Sequence, residues 1–226
     1  MLISIHIPKT GGTSFKHTLK GVYGEEGLFH LPTTKQWNQS NVNELFVPKS
    51  TECIHGHMQH DAFDEIHPEA SKILWLRDPV YRTISLYNHI LSFPDTDNEN
   101  HIEVHESNIS LVDFSGLPWV KNNTLNYIRG TNPEDFLFIG FMEAYEASLM
   151  ILTDLLGWDD ADGFRTNVFN ENVDLVGHAT GKGVHKNSGQ DHSNASDQEK
   201  NIILNNNKEE YEWLLRAHEF FSKKFS

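Results

Sequence analysis

Lys9, Thr10, Gly11, Gly12, Thr13 and Ser14 are consecutive and lie directly behind the apolar run LISIHI. A cation, two glycines and three hydroxyl side chains within six residues have the composition of an anion cradle. Glycines let backbone approach an anion closely. A helix start adds unpaired N–H groups and the positive end of the helix dipole. In the common nucleotide loop, GxxxxGKS/T, the lysine follows the glycines, whereas here it precedes them. The plainer alternative is a strand-to-helix turn with a capped helix. A second candidate cluster is LRDPVYRTISLY, with Arg77 at the end of an apolar run and Ser85 eight residues on. A guanidinium fork at a strand's C-terminal end suits a second phosphate. The alternative is a surface ion pair between Arg77 and Asp78. The third cluster, ECIHGHMQHDAF, holds His55, His57 and His60. A neutral imidazole there can take a hydroxyl proton near pH 7. The same spacing also matches a binuclear zinc pattern, HxHxDH, although Gln59 stands where that pattern has an acid. A structural role for the histidines is the third reading.

The elements needed to position these residues can be read from apolar periodicity. LISIHI (2–7) is a strand. Phe15, Leu19 and Val22 then recur at helical spacing, and Gly24 and Gly27 stop that helix. KILWL (72–76) is a second strand, followed by a helix that Pro79 opens and that Val80, Ile84, Tyr87 and Leu91 face. FLFIGF (136–141) and EAYEASLMILTDLLGW (143–158) form a third strand–helix unit. Strands alternating with helices predict a central, mainly parallel sheet flanked by helices, a three-layer α/β fold of the P-loop type. Residues 93–116 and 177–195 are expected to be polar loops, the first a possible lid. Ser196 and Glu199 have capping-box spacing. Tyr211, Leu214, Leu215, His218, Phe221 and Phe225 mark an amphipathic helix that packs on the sheet. With no repeat and no linker, the whole of 1–226 is expected to be one domain.

The chain has 226 residues, 38% of them apolar, and a formal net charge of −14. That charge argues against a nucleic-acid partner and favours a neutral or small substrate over a heavily charged polymer. Cys53 is the only cysteine, so no internal disulfide can form and a reducing compartment is expected. No apolar stretch is long enough to span a membrane. These features predict a cytoplasmic protein.

PKTGGTS together with RDPVYRTISLY resembles the sulfotransferases that use 3′-phosphoadenosine 5′-phosphosulfate (PAPS). The likeness is to the carbohydrate-type branch that includes the heparan and chondroitin 2-O-sulfotransferases. It extends through FIGFMEAYEASLMILTDLLG, the HKNSG segment and NNKEEYEWLLRAHEFF, leaving 93–120 and 160–180 unmatched. The resemblance implies a PAPS-dependent sulfotransferase acting on a hydroxyl of a glycan or small molecule, with no metal required. It makes Lys9, Thr10, Gly11, Gly12, Thr13 and Ser14 the 5′-phosphosulfate loop, and Arg77 and Ser85 the 3′-phosphate site. It makes His57 the catalytic base and Lys9 the group at the leaving oxygen, with His55 positioning the acceptor or orienting His57. Glu52 and Glu65 are possible substitutes for the base. Lys182, His185 and Lys186 fall where related enzymes close a loop over the nucleotide, and Lys186 is taken as a nucleotide contact. In WVKNNTLNYIRG, Asn126 replaces an arginine of the family pattern, which leaves that substrate contact open, with Arg129 as a possible replacement. Trp37, Trp75 and Trp119 are candidate sugar platforms, Trp75 being better explained as core. The missing anchor and disulfides separate the chain from Golgi relatives and point to a bacterial or viral source. The competing functions are an ATP-dependent small-molecule kinase of the same fold class, which would need a Mg²⁺ carboxylate, and a non-catalytic nucleotide- or glycan-binding protein.

Overall fold

The computed structural model describes residues 1–32, 36–93, 97–158 and 195–225. Its centre is a five-stranded sheet made of β1 (Leu2–Ile5), β2 (Leu28–His30), β3 (Cys53–Gly56), β4 (Ser71–Leu76) and β5 (Phe138–Phe141). The order is β2-β3-β1-β4-β5, and every pairing is parallel. Strands β1, β3 and β5 are buried along their whole length, as expected of a parallel sheet covered on both faces. This is the mainly parallel, helix-flanked α/β architecture expected from the sequence.

Parallel pairing brings the C-terminal ends of β1, β3 and β4 to one edge, so the segments after Ile5, Gly56 and Leu76 share a crevice. Helix α1 (Gly12–Gly27) follows β1. Gly24 does not stop it as expected. The helix kinks there instead, at φ 68°, and resumes to Gly27 before β2 begins. Helix α2 (Pro79–Ser92) follows β4, and its start is fixed by the Asp78 carboxylate, which accepts from the N–H groups of Val80 and Tyr81.

The stretch 93–116 departs from the expected loop. Its described residues form α3 (Glu99–Ser107) and α4 (Leu111–Ser115), capped by the side chains of Asn98 and Ser110. Val104 and Phe114 anchor them in a second core with Leu86, Ile90 and Val120. A short helix, α5 (Leu125–Ile128), precedes β5, and α6 (Tyr145–Leu156) follows it, ending at Gly157 in the left-handed conformation (φ 66°).

After the undescribed residues 159–194, Ser196 and Glu199 form the expected capping box at the start of α7 (Asp197–Asn206). Helix α8 (Lys208–Lys224) buries Trp213, Leu214, Ala217 and Phe221. Phe221 meets Phe138 of β5, so the helix packs on the sheet as expected. Leu215, placed on that face by the sequence pattern, is instead exposed.

Two helices are tied by charge. Arg82 of α2 is fully buried and donates from Nε and Nη2 to Glu210 of α8, at 2.8 and 3.1 Å. Glu210 also accepts from the N–H and hydroxyl of Thr124, at 3.1 and 2.6 Å. This pairing fixes how α2, and with it the turn after β4, sits against the rest of the fold.

Candidate active site

The turn between β1 and α1 is tight and unusual. Lys9 and Gly11 both have positive φ, 69° and 75°. For a lysine that conformation costs about 1–2 kcal/mol, and such strain is typical of functional turns. The left-handed φ of Gly11 favours glycine, and side chains crowd both Gly11 and Gly12. A Cβ on Gly11 would lie 2.5 Å from the Met142 sulfur, and one on Gly12 would lie 2.0 Å from Nε2 of His6. Helix α1 has no side-chain N-cap and no acidic residue in its first turn. Its first i→i−4 bond runs from Phe15 N–H to Gly11 O. The amides of Gly12, Thr13 and Ser14 precede that bond, so helix geometry gives them no carbonyl within α1, and the dipole is not neutralised.

The hydroxyls divide. Thr10 is buried and donates from Oγ1 to Ile7 O at 2.9 Å, which shapes the turn and turns its side chain inward. Ser14 is also buried, whereas Thr13 is exposed. Lys9 is half-buried. Burial, with the Arg77 charge adding to it, lowers its pKa to about 8. Among the described residues Lys9 forms no salt bridge. Arg77 reaches the turn from β4, with Nη1 donating to Lys9 O at 3.3 Å. Ser85 lies two helical turns beyond Asp78, on the same face of α2, and is half-buried.

On the other side of β1, His57 Nδ1 lies 2.7 Å from the main-chain carbonyl of His6. A carbonyl only accepts, so Nδ1 carries the proton and the neutral ring has its lone pair on Nε2. That is the tautomer a general base requires. The rings of His57 and His6 stack, with centroids 4.3 Å apart and planes inclined 22°. Burial lowers the His57 pKa, and its bond to His6 opposes this. The neutral form therefore dominates at pH 7.

His55 is placed differently. It is 1% exposed, with Nδ1 2.9 Å from Ser4 Oγ and its ring stacked on the far side of His6 at 5.3 Å. Burial, reinforced by His30 and His57, lowers its pKa to about 3. Its Nε2 makes no hydrogen bond of good geometry, although the Gly12 backbone lies near enough to oppose that shift slightly. So enclosed, His55 stands behind His6 and does not open on the space before His57.

His60 Nε2 bonds to Arg129 O at 3.0 Å. The imidazoles of His55, His57 and His60 thus face different partners, and among the described residues no three His, Cys, Asp or Glu converge as a metal-binding group. Trp37 and Trp75 are buried, 4% and 2% exposed, and are core. Lys186, with Lys182 and His185, lies outside the described residues.

His6 and Arg82 were not singled out by sequence reasoning. His6 had a signal, a histidine between Ile5 and Ile7 in an otherwise apolar run. Arg82 had none, because its partner is 128 residues away.

A model of the sulfotransferase family matches residues 1–214. The chain belongs to the sulfotransferase family. Among solved structures, this sulfotransferase-family chain is similar to a crystal structure of a mouse sulfotransferase complexed with PAP, at 16% identity and a TM-score of 0.41. That alignment covers 74% of this chain and 61% of the mouse one. No curated protein matches the chain. No helix among the described residues is long and apolar enough to cross a membrane.

Proposed function

We propose that the protein moves a sulfuryl group from PAPS to an acceptor hydroxyl, carried by a glycan or a small molecule, with His57 as general base. The observation that carries this reading is the 2.7 Å bond from His57 Nδ1–H to His6 O, which leaves Nε2 unprotonated beside the glycine turn.

The turn fits the donor on its own chemistry. It has a closely packed glycine pair, three first-turn amides, an N-terminus without an acidic residue, and a lysine with no salt bridge among the described residues. PAPS supplies a sulfuryl group joined through oxygen to a 5′-phosphate, together with a separate 3′-phosphate. The amides of Gly12, Thr13 and Ser14 hold the 5′ side. Arg77 and Ser85 hold the 3′-phosphate from the turn after β4 and the face of α2. Lys9 places its ammonium where charge develops on the leaving oxygen. His57 Nε2 takes the acceptor's proton as the new O–S bond forms and the S–O bond to phosphate breaks. Thr10 serves the turn by shaping it, and His55 acts through His6.

The kinase alternative would have to use Asp78, whose Oδ1 already caps α2. Calorimetric titration with 3′-phosphoadenosine 5′-phosphate (PAP) and with ADP tests the donor. PAP is expected to bind at least about tenfold tighter, as a charge-assisted bond is worth about 1.5–3 kcal/mol. Equal affinities would sink the assignment. His57→Ala is expected to lower kcat by about 10²–10⁴ with PAP affinity retained, and unchanged turnover would remove His57 as base.

A further inference from the structure

We infer that His6 is a positioning residue for the transfer, its main-chain carbonyl setting the tautomer of His57 and its ring fixing where that base stands relative to the glycine turn. The inference rests on the reading of His57 as base and goes beyond it, because it assigns a role to a residue that touches neither donor nor acceptor chemistry directly.

Three contacts converge on His6. Its carbonyl accepts from His57 Nδ1–H at 2.7 Å. One face of its ring packs on His57, with centroids 4.3 Å apart, and the other lies towards His55 at 5.3 Å. Its Nε2 edge occupies the space that a Cβ on Gly12 would need. His6 therefore fills the gap between the end of β3, which carries the base, and the first residue of α1, whose amides form the cradle. Its own N–H is held to Gly56 O at 2.8 Å, so the backbone at this point cannot drift from β3. His6 is thus tied through its N–H to Gly56 and through its carbonyl to the His57 side chain, and the base cannot swing away without breaking the stack.

The ionisable groups around it all disfavour a proton on His6. Burial is the largest influence, followed by His57, His55 and His30 and by Lys9 on its own turn. His57 is likewise kept neutral mainly by burial. A neutral His6 lets the two rings stack without charge repulsion. Removing the ring opens this enclosure and lets water reach His57. The pKa of His57 then moves up towards its ordinary value of about 6.5.

The test uses the full chain and His6→Ala, with His6→Asn as a second variant of intermediate volume in case the first does not fold. Histidine ring ¹⁵N spectra of the unmutated protein are expected to show His57 as the Nδ1–H tautomer. A predominant Nε2–H pattern would overturn the inference. In either variant the His57 titration midpoint is expected to rise towards 6.5, and an unmoved midpoint would overturn it. These spectra need no substrate, so they decide the His6–His57 coupling even if PAP does not bind and the donor assignment fails. With transfer from PAPS followed on an acceptor panel, kcat is expected to fall at least tenfold, the acid limb of kcat/KM to move up in pH with the titration, and PAP affinity to stay within threefold. Loss of PAP affinity with unchanged kcat at saturation would place His6 in the nucleotide cradle and refute a positioning role.

Discussion

Replacing Arg82 by methionine keeps most of the side-chain volume and removes the guanidinium. The structure fixes what is lost. Two charge-assisted bonds to Glu210, at 2.8 and 3.1 Å, disappear from a site where the arginine is 0% and the glutamate 3% exposed. At about 1.5–3 kcal/mol each, those bonds amount to about 3–6 kcal/mol. Stranding one member of a buried ion pair gives a similar figure, about 3–5 kcal/mol. Glu210 keeps the two donors of Thr124, so the lower half of that range is expected, about 3–4 kcal/mol. For a chain of this size each kcal/mol moves the melting midpoint by about 2–4 °C, so a fall of about 6–16 °C follows. Urea unfolding monitored by tryptophan fluorescence reads the free energy directly. Arg82→Met combined with Glu210→Met removes both charges and is expected to recover only part of the loss, because the N–H and hydroxyl of buried Thr124 then lose their acceptor. A single variant within about 1 kcal/mol of the parent would refute the argument, since it would mean the carboxylate had found water or a proton at little cost. PAP affinity well below the melting midpoint is expected to stay within tenfold, because the buried Arg82 cannot reach a ligand, whereas Arg77 lies on the crevice.

Gly12→Ala puts a methyl group 2.0–2.3 Å from the His6 ring. It is expected to destabilise the protein by about 1–3 kcal/mol and to cut turnover by displacing His6, as read by thermal melting and PAPS turnover together. Unchanged values of both would show that the ring moves aside freely. Lys9 carries most of its charge at pH 7 and loses it above about pH 8, so PAP affinity is expected to decline with rising pH from that point. Lys9→Met is expected to weaken PAP by about 10–100-fold, equivalent to one charge-assisted bond, and to abolish that decline. A parent affinity flat to pH 9.5 would contradict the placement. His57 must be neutral to act as the proposed base, and burial lowers its pKa, so the midpoint of the acid limb of kcat/KM is expected below the ordinary histidine value of about 6.5. A rate already halved at pH 6.5 would contradict an enclosed His57.

What could be read from sequence followed the local physics. The apolar runs that precede Lys9 and Arg77 read as strand–turn–helix units because parallel strands are buried on both faces and their hydrophobicity is continuous. The capping box at Ser196 was legible for the same reason, being complete within four residues. The stretch 93–116 was misread because its polar residues outnumber the two that decide its structure. Val104 and Phe114 are its core anchors, and their partners Leu86, Ile90 and Val120 lie on other elements. Thr10 illustrates a subtler limit. Its type suits a phosphate contact, but only the fold of the turn sends its hydroxyl to Ile7 O. His55 lies on β3, His57 lies just past its end, and the two are identical in type. What separates them is β3's neighbours. Ser4 and the sheet interior enclose one, and the end of β1 leaves the other at the crevice.

The forward position of Lys9 follows from how the β1–α1 turn uses its carbonyls. The His6 carbonyl is taken by His57 from the β3 side, and the Lys9 carbonyl is taken by Arg77 from the β4 side. With β1 between β3 and β4, one short turn is the reference point for both the proposed base, His57, and the proposed second phosphate site at Arg77. The two carbonyls face these neighbours, and the amides of Gly12 and Thr13 precede the first i→i−4 bond of α1. A lysine after the glycines, as in GxxxxGKS/T, would sit on the helix and act from behind the phosphate. Placed before them at positive φ, it belongs to the same turn that His57 and Arg77 grip. The two grips also explain why the strain at Lys9 persists. Relaxing the turn would loosen the bond that sets the His57 tautomer and the bond that aims Arg77, so the cost of the unusual backbone is offset on both sides of the sheet.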